Sequence, residues 1–316
     1  MMKLSKISGN QMTEFILMGI TKHPGLQGPL FVVFLLKYMA ISLGNLGIII
    51  LTSVDTNLHT PMYFFLNHLA FVDLGYSTVV GPKTLVGFIM EKNTITYIGC
   101  AIELVFFVIF ITSELFILSA MAYDCYVAIC KPLRYMVIVS DRTCWILVTI
   151  SYFYSILVSL LVTIKIFKPS FCKLNVIRHF YCDGLPLFSI ICSEKTDIEL
   201  IIMILATFNL VSSLLIILIS FMLILVATFR MNSAEGRHKA FSTCGSHITG
   251  MVIFCGTLLF MYLQPQSSHY FDIAKITSFF YTLVIPMLNP LIHRLRNKEM
   301  KNASKSLFKI IYKHPL

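Results

Sequence analysis

Residues 100–135 read CAIELVFFVIFITSELFILSAMAYDCYVAICKPLRY, and they set the class of the whole chain. The run exceeds the ~20 mainly apolar residues that a membrane-crossing helix needs. It nevertheless carries Glu103 at one end and Glu114 near its middle. A carboxylate in the hydrocarbon layer is costly, so it has to face other protein groups or water, and it marks a functional site by default. The segment leaves the apolar phase through Asp124, Lys131, Pro132 and Arg134, which reads as a membrane boundary followed by a basic turn.

Working outward, the rest of the chain has the same character. Of 316 residues, 57% are hydrophobic and 13% charged, against roughly 25% charged in a soluble domain. The chain therefore reads as an all-α membrane protein. Apolar runs of spanning length lie at 29–53, 61–80, 98–123, 143–164, 198–229, 240–263 and 273–293. They predict a seven-helix bundle over 29–293, an N-terminal segment over 1–28 and a tail over 294–316. Residues 1–28 lack the uninterrupted apolar core of a signal peptide, so the first span is expected to act as an uncleaved membrane signal.

Seven spans put the termini on opposite sides. On the side of the C-terminus, Lys and Arg number three in 124–142, three in 229–239 and seven after His293. Basic residues close to span ends weigh most in orientation, and the tail is densely basic directly after the seventh span. The C-terminus is therefore expected in the cytoplasm and the N-terminus outside, with the chain as a multi-pass plasma-membrane protein. The net charge of +10 lies mainly in short connections and the tail. This favours anionic lipid headgroups over nucleic acid as its partner. In the tail, Leu295, Met300, Ala303, Leu307 and Ile311 recur every three to five residues, the pattern of a short basic amphipathic helix on the inner leaflet.

Individual residues inside the spans carry the chemistry. Gly44 and Asn45 pair a small residue with one able to hydrogen-bond across helices. Asp73 on the second span and Glu114 on the third are two buried carboxylates on consecutive helices. They form a candidate sodium site or share a proton, because two such groups do not both stay ionised unpaired; the alternative is a structural hydrogen-bond cluster with Asn45 and Asn289. No other cofactor is expected. Four of the nine cysteines, Cys100, Cys172, Cys182 and Cys192, fall on the oxidising side. Four allow three connectivities; Cys100 with Cys182 and Cys172 with Cys192 is the pairing expected. The first closure would constrain the unfolded chain by roughly 4–5 kcal/mol in the chain-entropy account. In the seventh span, Pro286 and Pro290 each remove a helix hydrogen bond and favour a kink.

Five segments in order then carry a resemblance: GN at 44–45, LHTPMYFFL at 58–66, MAYDCYVAICKPLRY at 121–135, KAFSTCGSHI at 239–248 and PMLNPLIHRLRNKEM at 286–300. Together they resemble the odorant receptors of the tetrapod type, a branch of the rhodopsin-like G-protein-coupled receptors. The resemblance implies a pocket for small hydrophobic volatile odorants in the outer half of the bundle. Its lining by position would be Phe107, Val108, Ile111 and Thr112 on the third helix, Phe208 and Val211 on the fifth, Cys255, Leu258, Leu259 and Tyr262 on the sixth, and Ser278 and Thr282 on the seventh. It also implies coupling to a stimulatory olfactory-type G protein and a rise in cAMP, with Asp124, Cys125, Tyr126, Asn289, Pro290 and His293 as the switch. Phe107 stands where amine receptors of this fold carry a carboxylate, which disfavours cationic amines.

The chain departs from the family pattern at four places. Cys125 replaces the arginine of the usual DRY triplet, His293 replaces the tyrosine of NPLIY, and Cys255 replaces a tyrosine before Gly256. The N-terminal glycosylation triplet is broken at Asn10, Gln11, Met12. These departures raise impaired coupling or trafficking as the alternative reading. A transporter is a distant third, because the internal repeats typical of such folds are not visible. Enzyme motifs such as HExxH, a P-loop or GxSxG are lacking too, and adjacent Ser246 and His247 point ~100° apart on a helix. No catalytic activity is expected.

Overall fold

The computed structural model describes residues 13–230 apart from 22, 91, 170, 172–174 and 193–195, together with Gly256. Apart from Gly256, the sixth and seventh expected spans and the tail lie outside the described residues. In chain order the elements are β1 (Glu14–Leu17), α1 (Pro24–Val54), α2 (Pro61–Ile89), β2 (Asn93–Thr96), α3 (Tyr97–Cys130), α4 (Tyr135–Ile138), α5 (Asp141–Phe167), β3 (Val176–Ile177), α6 (Gly184–Ser189) and α7 (Thr196–Arg230). The first five expected spans correspond to α1, α2, α3, α5 and α7.

Local chemistry sets where these helices begin. Pro61 opens α2, where its missing N–H costs nothing and its fixed φ suits the first turn. The Thr96 hydroxyl caps α3 by accepting from the Gly99 N–H at 3.1 Å, and the Ser140 hydroxyl caps α5 from Thr143. Among the described residues, α1 from Gly25, α3, α5 and α7 are long and apolar enough to cross a membrane. The 29-residue α2 is not among them; it carries Asn67, His68, Asp73 and Lys83.

α3 is the axis. It packs against α2 on one side and against α5 and α7 on the others, while α1 packs on α2. Its buried face runs from Cys100 to Val127. At Gly75 on α2 a side chain would collide with the Phe110 ring of α3, so the missing Cβ permits the close approach. Polar groups join the helices, since lipid offers them no partner. Asn67 donates to the Thr52 hydroxyl, Ser159 to the Val105 carbonyl and Tyr154 to Asn209 Oδ1, each at 2.7 Å. Side chains on the outward faces are apolar, among them Leu36 and Leu43 on α1, Phe153 and Ile164 on α5, and Leu218 and Phe229 on α7.

The strands form a small sheet ordered β2-β1-β3, antiparallel between β1 and β2 and parallel between β1 and β3. No strand was expected from the sequence. The sheet caps the disulfide end of the bundle over an apolar cluster of Phe15, Leu17, Cys100, Leu104, Ile166, Ile177, Cys182 and Leu187. Phe15 is fully buried, stacked near Tyr97 and edge-on to Phe171. Phe15→Ala is therefore expected to destabilise the protein by about 3–5 kcal/mol, read as a lowered thermal midpoint in detergent; an unchanged midpoint would show that the sheet is not part of the cooperative unit.

Candidate functional site

At the disulfide end, Cys100 at the start of α3 is bonded to Cys182, with Cα atoms 5.5 Å apart. Cys192 is also disulfide-bonded; Cys172 lies outside the described residues. The Cys100–Cys182 bond holds the connection between α5 and α7 down against α3. The result is a buried aromatic plug of His179, Phe180 and Tyr181, with ring centroids 4.5–4.9 Å apart.

Phe107 meets this plug from below. It is only 5% exposed, and its ring lies 5.2 Å from Tyr181 and 5.4 Å from Tyr76 of α2. Thr112 is buried, while Val108 and Ile111 are partly buried against the core. These four residues occupy one continuous stretch of α3. Phe208 and Val211, in contrast, are 57% and 46% exposed. The buried side of α7 carries Asn209, Leu210, Ser213, Ile217, Ser220 and Ile224 instead. Cys255, Leu258, Leu259, Tyr262, Ser278 and Thr282 lie outside the described residues.

Deeper in the bundle the structure brings Asp73 and Glu114 together: both are buried, and each lies within the electrostatic reach of the other. Asn45, fully buried, donates to the Ile41 carbonyl of its own helix at 3.1 Å. Asn289 lies outside the described residues.

At the far end of α3, Asp124 and Cys125 are buried. The Tyr135 hydroxyl donates to Asp124 Oδ1 at 2.8 Å. Burial first, then the Asp124 carboxylate, push the Tyr135 phenol above its ordinary range, so it stays protonated and keeps donating. Cys125 packs in an apolar cluster with Ile224 of α7, flanked by Tyr126 and Ile129. Lys131 Nζ lies 5.8 Å from the centre of the Tyr126 ring. Asn289, Pro290 and His293 lie outside the described residues. Sequence reasoning passed over Tyr135. The available signal was an aspartate that had lost its usual arginine and needed another donor within the same motif.

A family model described as Olfactory receptor matches residues 34–310. This chain belongs to the olfactory receptor family. It is 60% identical over 306 residues to human Olfactory receptor 8K1, covering 97% of this chain and 96% of that one. It is 64% identical over 290 residues to human Olfactory receptor 8K3, covering 92% and 93%. Mouse Olfactory receptor 8U3 is 52% identical over 302 residues, covering 96% and 95%. The receptor is thus a seven-helix membrane protein of the G-protein-coupled class, multi-pass in the plasma membrane, and not an enzyme. Four of the described helices, α1, α3, α5 and α7, are long and apolar enough to span, and α2 packs between α1 and α3.

The contact at the far end of this receptor makes a direct prediction. Tyr135→Phe removes a hydrogen bond to a buried carboxylate at almost constant volume, which costs about 1–3 kcal/mol. A lowered thermal midpoint of the purified receptor is expected, and no shift would show that Asp124 finds another donor.

Proposed function

We propose that this receptor binds small hydrophobic odorants on the face of α3 formed by Phe107, Val108, Ile111 and Thr112, under the aromatic plug. Binding biases an existing equilibrium between inactive and active forms. The active form engages a stimulatory olfactory-type G protein and raises cAMP. The N-terminus and plug lie outside the cell; α4 and the basic tail, as a short amphipathic helix over 294–316, lie in the cytoplasm. The observation that carries this reading is the packing of Phe107 against Tyr181, because it sets an apolar wall of α3 directly beneath a disulfide-tethered lid. Asn209, Leu210 and Ser213, on the buried side of α7, are better candidates for the opposite wall than Phe208 and Val211. From beyond the described residues, Cys255, Leu258, Leu259, Tyr262, Ser278 and Thr282 would complete the lining. At the switch, Asn289, Pro290 and His293 would act with Asp124, Cys125 and Tyr126.

Weak coupling is the second reading, favoured by Cys125. Its thiol sits against Ile224 and supplies no cation to Asp124 or to a G protein. Odorant-evoked cAMP against a broad panel of hydrophobic volatiles, with surface staining of the same cells, is expected to show a modest response. Cys125→Arg is expected to raise its maximum. An unchanged maximum at equal surface level would remove the coupling defect, and full surface staining with no response from either form would contradict the proposed output.

We propose further that Asp73 and Glu114 would supply two of the ligands of a sodium ion. Two carboxylates supply hard oxygen ligands, and Glu114 Oε1 has no hydrogen-bond partner among the described residues. Bound there, the ion would neutralise charge in the bundle core. Glu114→Gln is expected to abolish any sodium dependence of basal cAMP, and persistence of that dependence in the variant would rule the site out.

A further inference from the structure

Glu103 is a buried carboxyl that none of the roles above uses. It lies on α3 four residues before Phe107, hence one turn nearer the disulfide end on the same face. It is 7% exposed. One oxygen, Oε2, accepts the Cys182 N–H at 3.4 Å, in the loop that forms the plug. The other, Oε1, is buried and has no hydrogen-bond partner among the described residues. The charge of Lys83 reaches it, but Lys83 Nζ donates to the Thr94 carbonyl at 2.6 Å. A buried acceptor left unsatisfied carries a standing desolvation cost, which a ligand able to donate to it would relieve.

The surroundings limit what that ligand can be. One turn along α3 from Glu103 stands Phe107, whose ring packs on that of Tyr181, the residue before Cys182, and farther down α3 come Val108 and Ile111. A molecule that satisfied Oε1 while lying on these residues would have a donor at one end and an apolar body. We propose that Glu103 is a specificity-determining residue that accepts a hydrogen bond from a hydroxyl or amine head, the ligand's aliphatic body lying against Phe107. The assignment rests on the reading that Phe107 borders the odorant site. It adds a polar requirement which that reading alone does not contain, and it admits amines through a carboxyl one turn away from Phe107.

The test uses the full-length receptor purified into lipid nanodiscs and reads ligand-induced thermal stabilisation, which needs no G protein. The probes are straight-chain 1-alkanols, alkylamines, aldehydes and alkanes of five to ten carbons. At some chain length an alcohol or amine is expected to bind roughly tenfold to a hundredfold more tightly than the alkane and aldehyde of the same length. Glu103→Leu is expected to abolish that preference. Glu103→Gln, whose amide oxygen still accepts but carries no charge, should keep a preference for the alcohol and lose one for the amine, which separates the two heads. A role confined to holding Cys182 would instead weaken all probes equally. If no donor-headed probe outbinds its alkane, or if the preference survives Glu103→Leu, the assignment is overturned. In that event the Phe107 site still stands if Phe107→Ala weakens every probe, and falls too if Phe107→Ala weakens none.

Discussion

The arrangement depends on one constraint: the polar groups of α3 find no partner in lipid. Glu103, Thr112, Ser113, Glu114, Ser119 and Asp124 all lie on a helix otherwise apolar enough to span, and all are buried. They are kept from lipid by neighbours on every side, which puts α3 in the middle. α2 brings Asp73 to Glu114, the loop after α5 brings the Cys182 N–H to Glu103, and Tyr135 brings a hydroxyl to Asp124. Each carboxyl thus has a different neighbour at a different depth. The helix becomes a column with the aromatic plug at one end, Glu114 near Asp73 inside and the Asp124–Tyr135 contact at the other end.

The two ends are tethered by different means. At the lid, a covalent bond fixes Cys182 to α3 and the short sheet binds β1 over it, so the aromatic plug is held by the fold whether or not a ligand is present. At the other end, an arginine in place of Cys125 would be a permanent cation beside Asp124. Here a neutral phenol donates one hydrogen bond, and Cys125 fills an apolar contact with α7. A phenol brings no positive charge to the carboxylate, whereas an arginine could bind it as a bidentate ion pair.

Much of this was legible in the sequence. The expected spans at 98–123 and 198–229 fall inside α3 and α7, because long apolar runs admit no other structure in a bilayer. Compartment narrowed the outer cysteines to three connectivities, of which the preferred Cys100–Cys182 bond is present, and Asp73 lies within electrostatic reach of Glu114. The end of α2 did not: the expected span stopped at residue 80, whereas the helix continues through Gly81 and Pro82 to Ile89. Neighbouring elements re-satisfy the groups that a proline frees within such a helix, so residues that read as breakers did not break it. The sheet escaped notice because its strands are two to four residues long and pair across the whole chain, Ile16 with both Thr94 and Val176. Placing Phe208 and Val211 in the pocket required the rotation of α7, which an apolar run hydrophobic all round does not specify.

We propose that the odorant lies against α3 directly beneath the tethered plug. The measurement that tests it most directly is a cryo-electron microscopy map of the full-length receptor with an activating odorant. Ligand density is expected in van der Waals contact with Phe107 and below Tyr181. Density elsewhere in the bundle, with Phe107 still packed on Tyr76 and Tyr181 and touching no ligand, would contradict it.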